Sequence, residues 1–137
     1  MFQLKSEVQF DMAHFLYGYK GKCANLHGHR YRVVASFQSE TLCESGQTRG
    51  MVADFHDINA ALKSIAEVFD HKLVVEDNEE GRRLREVLDR YDVVLVPYRP
   101  TAEEMSRDFY LRLKKTGLPV FSVEVFETPT NSCTYSE

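Results

Sequence analysis

Between Glu7 and His14 apolar and polar residues alternate, with Val8, Phe10, Met12 and His14 on one side and Gln9, Asp11 and Ala13 on the other. A repeat of two predicts a strand. The stretch "LYGYKGKCANLHG", with three glycines, then reads as a loop. A second alternating run places His29, Tyr31, Val33, Ala35 and Phe37 on one face, with Arg30, Arg32, Ser36 and Gln38 mostly opposite. The polar "SETLCESGQTRG" is a connection to the next element.

After "MVADF", Ile58, Leu62, Ile65 and Phe69 recur at helical spacing, which predicts a helix over about 57–69 with Asp54 or Asp57 at its start. A weaker helix is expected near 79–91 through Leu84, Val87 and Leu88, and "VVLV" at 93–96 reads as a short strand. In "RPTAEEMSRDFYLRLKKTG" Thr101 caps a clear helix, Glu104 completes a capping box, and Met105, Phe109 and Leu113 face inward until Gly117 stops it. Phe121, Val123, Val125 and Glu127 share one face of a third long strand, and a Pro/Asn turn leads to a last short strand ending at Tyr135. Paired antiparallel strands with segregated helices make an α+β domain. No repeat or linker divides the chain, so one domain is expected over 1–137.

Composition narrows the function classes. A net charge of −4 and a pI near 5.7 supply no global basic field for nucleic acid or an anionic membrane. No apolar run approaches the roughly 20 residues of a membrane span. The opening "MFQLKSEVQFDMAH" alternates and carries charge, unlike a signal or transit peptide. Cys23, Cys43 and Cys133 are few and odd in number, which suits reduced thiols and a cytoplasmic location.

The densest chemistry lies in "KCANLHGHRYRV". In an extended chain His27 and His29 point to one side. Antiparallel pairing across the loop brings His14 beside them, and Gly28 leaves room between the pair. Three imidazoles suit zinc and leave its fourth position open, as catalytic sites do. Cys23 is either a further ligand or a reactive group beside the metal. The strand phase leaves it back in the loop, which favours a base.

Elsewhere, "FDHKL" sets Asp70 beside His71, a way to build a general acid/base or merely a surface pair. Glu127, in phase with Val123 and Val125, either needs donors on the core side or bends to solvent. Adjacent N–H groups on a pterin or guanine would supply such donors. Thr101 and Glu104 are explained by capping alone. Lys20, Lys22, Arg30 and Arg32 surround the histidine loop and would suit a phosphorylated substrate.

Taken together, "FDMAHFLY", "CANLHGH", "MVADF", "FDHKL", "PTAEE" and "VFETPTNSCTY" resemble the 6-pyruvoyl-tetrahydropterin synthase family in order and spacing, from Phe10 to Tyr135. The Cys-x-x-x-His-Gly-His spacing is most similar to the bacterial 6-carboxy-tetrahydropterin synthase branch of queuosine-precursor synthesis. The resemblance implies a T-fold, a four-stranded antiparallel sheet with helices on one face, assembled as a homo-oligomer, typically a hexamer built as a dimer of trimers. It implies zinc on His14, His27 and His29, proton transfer by Cys23, Asp70 and His71, and a pterin anchored by Glu127 with Thr101 near it. The implied reaction takes 7,8-dihydroneopterin triphosphate to 6-carboxy-tetrahydropterin, acetaldehyde and triphosphate. Rival readings are a 6-pyruvoyl product or an aldolase reaction at the same site, and a non-catalytic zinc or pterin-binding module. The chain departs from compact family members in "VVEDNEEGRRLREVLDRYDVVLVPY", which reads as an extra helix and edge strand.

Overall fold

The computed structural model describes every residue from Met1 to Glu137. The two alternating runs form long strands, β1 (Phe2–His14) and β2 (His27–Ser39), paired antiparallel along their whole length. Helix α1 (Phe55–Phe69) comes next, then β3 (Lys72–Glu76), α2 (Glu79–Val87), β4 (Val93–Val96), α3 (Ala102–Lys114), β5 (Val120–Thr128) and β6 (Asn131–Tyr135). The strands make one sheet in the order β4-β3-β1-β2-β5-β6.

That sheet corrects the expected four-stranded antiparallel one. It has six strands and is mixed, because β3 runs parallel to both β1 and β4. β3 escapes the two-residue pattern because its central residues, Val74 and Val75, are both buried, and a strand covered on both faces loses its polar alternation. The segment beyond it does form a helix and an edge strand, β4, although α2 ends at Val87 rather than 91. Asn78 caps α2 by accepting the Gly81 N–H at 2.8 Å. A methyl group on Gly81 would lie 2.1 Å from the Glu76 carbonyl oxygen, so α2 can rest on the end of β3 only through a glycine.

Helices α1 and α3 bury Ile58, Leu62, Phe69, Met105, Phe109 and Leu113 against Phe10, Met12, Tyr31, Val33, Phe37, Val123 and Val125 on one sheet face. Burying each large apolar side chain contributes about 1.5–3 kcal/mol, which outweighs any local preference. Asp54 caps α1, accepting the His56 N–H at 2.8 Å. Thr101 caps α3, accepting the Glu104 N–H at 3.3 Å, but the expected reciprocal arm is absent because the Glu104 carboxylate accepts from Arg107 instead. No helix is long and apolar enough to cross a membrane.

Two irregularities change which side chains reach the core. The β2–β5 register passes from Ser36–Ser122 to Phe37–Val120, so Phe121 is the extra residue of a bulge. It is 43% exposed, not in the core phase expected of it. The β5–β6 register passes from Phe126–Ser132 to Thr128–Asn131, leaving Glu127 as the extra residue of a second bulge. A bulge re-aims the side chain it carries.

Candidate metal centre and its surroundings

The site begins where β1 ends and β2 starts. His14 pairs with His27 and Met12 with His29, so strand alternation turns all three imidazoles toward one face. Gly28 allows the close approach of the strands there: a methyl group on it would lie 3.1 Å from the Met12 carbonyl oxygen.

Backbone carbonyls orient two of the rings. His14 Nδ1–H donates to the Pro100 carbonyl at 2.8 Å, and His27 Nδ1–H donates to the Asn25 carbonyl at 2.7 Å. In the neutral rings each Nε2 then carries a lone pair, and these two nitrogens lie 3.1 Å apart. Lone pairs facing one another repel unless a proton or a cation lies between them. His29 Nε2 is buried with no hydrogen-bond partner, which costs about 1–3 kcal/mol. One nitrogen from each ring falls within a group spanning no more than 4.8 Å.

These features fit a metal. Zinc–nitrogen bonds of about 2.0–2.1 Å separate tetrahedral ligands by roughly 3.3 Å, close to the spacing of His14 and His27. A carbonyl accepting the remote N–H is the usual support of a ligating histidine. Burial lowers the pKa of both His14 and His29, with the Glu127 carboxylate opposing it. Both rings are thereby held in the neutral form that a metal requires.

Glu127, aimed inward from its bulge, places Oε1 3.5 Å from His14 Nε2 and 3.6 Å from His29 Nε2. It also shares a cavity of about 280 Å³ with Leu16, Thr101, Asn131, Ser132 and Cys133, so Thr101 and Glu127 do meet in one recess. Beneath them Tyr31 is fully buried, its ring edge-on to His14 and His29 and stacked on Phe10. Burial, then the Glu127 charge, pushes its phenol pKa far up. Cys23 lies in a single 3-10 turn, Lys22–Ala24, whose Cys23 carbonyl accepts the Leu16 N–H at 2.8 Å. Its thiol is outside the compact histidine group.

Asp70 and His71 stand elsewhere. With Asp11 they form a second group on the other sheet face, at the junction of α1 and β3. His71 takes φ +59°, a left-handed conformation at a helix end where glycine is usual. It is held by its N–H donating to the Asp11 carbonyl at 2.7 Å. Asp70 Oδ1 accepts both His71 Nδ1–H at 2.8 Å and the Asp11 N–H at 3.1 Å. Partial burial pushes the Asp70 pKa up, but these hydrogen bonds and the His71 and Arg30 charges outweigh it, so the net shift is downward. His71 opens on a cavity of about 720 Å³ that His29 also lines, partly walled by Leu88, Tyr91 and Asp92 of the α2–β4 segment. No hydrogen bond or ion pair links Asp70 or His71 to Cys23, Glu127 or the three histidines.

The basic set divides likewise. Arg30 and Arg32 alternate away from the histidines and pair with Asp11 at 3.0 Å and Glu7 at 3.8 Å. Three supports went unseen in the sequence: Pro100, Asn25 and Tyr31. Pro100 lies 86 residues from His14, and only the fold joins them. For Tyr31, the signal was its core phase two residues after His29.

The model of the family described as 6-pyruvoyl tetrahydropterin synthase matches residues 3–137. The chain belongs to that family. It is 38% identical over 142 residues, spanning 100% of both chains, to the 6-carboxy-5,6,7,8-tetrahydropterin synthase of Haemophilus influenzae. To the enzyme of that name from Aquifex aeolicus it is 34% identical, over 85% of this chain and 76% of the relative. Among solved structures, an uncharacterised protein from Wolinella succinogenes superposes with a TM-score of 0.76 at 24% identity, covering 99% of this chain and 98% of that one. The 6-pyruvoyl tetrahydropterin synthase of Caenorhabditis elegans gives 0.71 at 21% identity, over 99% of this chain and 95% of its own. At those identities the likeness is one of fold.

Proposed function

We propose that this member of the pterin synthase family is a zinc-dependent 6-carboxy-tetrahydropterin synthase acting in queuosine-precursor synthesis. It would convert 7,8-dihydroneopterin triphosphate and water to 6-carboxy-tetrahydropterin, acetaldehyde and triphosphate. The observation that carries the proposal is the convergence of three imidazole nitrogens, two rings with their remote N–H committed to carbonyls and the third with a buried nitrogen that has no partner at all. The likeness to relatives named for this reaction supports the substrate.

His14, His27 and His29 would hold the zinc. Bound there, zinc polarises the side-chain hydroxyls of the substrate as a Lewis acid and makes the neighbouring carbon-bound protons easier to remove. Glu127 anchors the pterin by accepting from its adjacent N–H groups, with Thr101 in the same recess. The Cys23 thiolate, beside Lys20 and Lys22, takes the carbon-bound proton. His71, held in one tautomer by Asp70, carries that proton onward. Triphosphate leaves from the enediol so formed, and water then adds across the carbon–carbon bond that breaks, its oxygen entering the carboxyl group and a hydrogen the acetaldehyde.

Because Asp70 and His71 occupy the face opposite the histidines, they serve a site completed by a second copy. This is the reading of the homo-oligomer that the geometry favours. Incubating zinc-loaded protein with 7,8-dihydroneopterin triphosphate should release acetaldehyde and 6-carboxy-tetrahydropterin together. A 6-pyruvoyl product without acetaldehyde would replace this proposal with its rival. No turnover would leave only a binding module. Cys23→Ala should keep zinc and lose turnover, and loss of zinc would make Cys23 a ligand.

A further inference from the structure

We infer that Tyr98 is a positioning residue: its hydrogen bond to Asp108 fixes the chain segment whose Pro100 carbonyl orients His14. The inference rests on the metal-binding role of His14 proposed above. It also assigns a role to the end of the segment by which this chain departs from compact family members, since Tyr98 is its last residue. The Pro100 carbonyl decides which His14 nitrogen faces the site. The Tyr31 hydroxyl stands 3.3 Å from His14 Nδ1 and 3.4 Å from Nε2, so it favours neither. The carbonyl, 2.8 Å from Nδ1, accepts the N–H there and leaves Nε2 turned to His27.

That carbonyl sits in a stretch with little backbone support. Val96 is paired in β4 and Thr101 caps α3, but between them Pro97 and Pro100 have no N–H to donate. Neither the Tyr98 nor the Arg99 N–H donates to a backbone carbonyl. The Thr101 N–H donates to the Arg99 carbonyl at 2.7 Å, closing a three-residue turn around Pro100 that holds only itself. Side chains must hold the rest. The Tyr98 hydroxyl donates to Asp108 Oδ2 at 2.6 Å, in the middle of α3, and Asp108 Oδ1 accepts from Arg112 Nε at 2.9 Å. The Arg112 guanidinium lies in turn over the Phe69 ring, 5.3 Å from its centre. Asp108 is thus aimed at Tyr98 by a partner itself packed on the core, and a hydrogen bond to an ionised oxygen is among the stronger kinds. The other tie of this stretch, from Arg99 to the Tyr17 carbonyl, is longer at 3.3 Å and exposed.

Tyr98→Phe removes only the oxygen. In the metal-free protein above neutral pH, the two ring-nitrogen NMR resonances of His14, well separated in a single tautomer, should draw together. Those of His27, held by Asn25, should stay apart. Zinc affinity, read by competition with a chelator, should fall about threefold to tenfold, short of the full effect of losing a partner bonded directly to a ligand. Lost stability alone should move neither reading, so Gly81→Ala, strained against Glu76, should leave the His14 resonances in place. In an Asp108→Ala background, Tyr98→Phe should change the resonances and the affinity no further. Unmoved resonances, unchanged zinc affinity, equal losses in both backgrounds, or the same movement in Gly81→Ala would each overturn the inference. The resonances are independent of any metal. Their movement in a protein whose wild type binds no zinc would therefore sink the metal role of His14 and leave the hold of Tyr98 on its ring standing. Should Tyr98→Phe not fold, Asp108→Asn, which keeps an acceptor for the hydroxyl without the charge, should draw the resonances together by less, and no movement there would overturn the inference too.

Discussion

His14 ends β1 and His71 precedes β3, neighbouring strands of one sheet, yet the two histidines are built for different work. His14 is 1% exposed, one nitrogen donating to Pro100 and the other turned to His27. The His71 side chain is 77% exposed and stands on a left-handed backbone, where a non-glycine residue costs on the order of 1 kcal/mol or more. Burial and carbonyl contacts within one chain make an imidazole whose direction is fixed before anything binds. Exposure, with only Asp70 to orient the ring, makes a group that can be offered to another surface.

The sharpest way to break that contrast is His71→Ala. It should leave zinc bound and lower turnover by about 10²–10⁴-fold, the usual share of a positioned acid/base. A variant that loses its zinc would join the two regions instead of separating them. His14→Ala should do the reverse, weakening zinc by more than about a hundredfold, and the His71–Asp70 pair should persist in the imidazole NMR spectrum. Retention of full zinc after dialysis would contradict the ligand role.

Gly81→Ala tests whether the wall beside His71 is independent of the metal. The clash with the Glu76 carbonyl should destabilise the fold by about 1–3 kcal/mol, read in urea, with zinc stoichiometry unchanged. An unaffected midpoint would mean that α2 does not rest on β3 as described. The smallest effect concerns pH. Burial lowers the pKa of His14 and His29 below 6.5, so below that value the unfolded chain takes up protons that the folded chain resists. Their contribution to the stability of the metal-free protein is complete above about pH 6.5 and declines as pH falls. His29→Gln should flatten part of that decline, and an identical pH profile would contradict the assignment.

The histidine end was legible in the sequence because two strand periods and one loop suffice to bring His14, His27 and His29 together. Features that depend on distant strands were not. β3 shows only "KLVVE", too short and too evenly buried to alternate. Phe121 and Glu127 keep a regular phase in sequence, and only the partner strands reveal that each is the extra residue of a bulge. Asp70 and His71 could be named from "FDHKL", but their separation from the three-histidine cluster depends on which sheet face each region occupies. The family resemblance supplied roles for them without showing that one chain keeps them apart.

The division of the site is tested most directly by mixing two inactive proteins. Cys23→Ala and His71→Ala chains, unfolded together, refolded in equal amounts and loaded with zinc, would be assayed for acetaldehyde. If a neighbouring copy supplies His71, about one site in four pairs an intact Cys23 with an intact His71, and roughly a quarter of wild-type turnover should return. No recovery from mixed oligomers would contradict a site shared between copies.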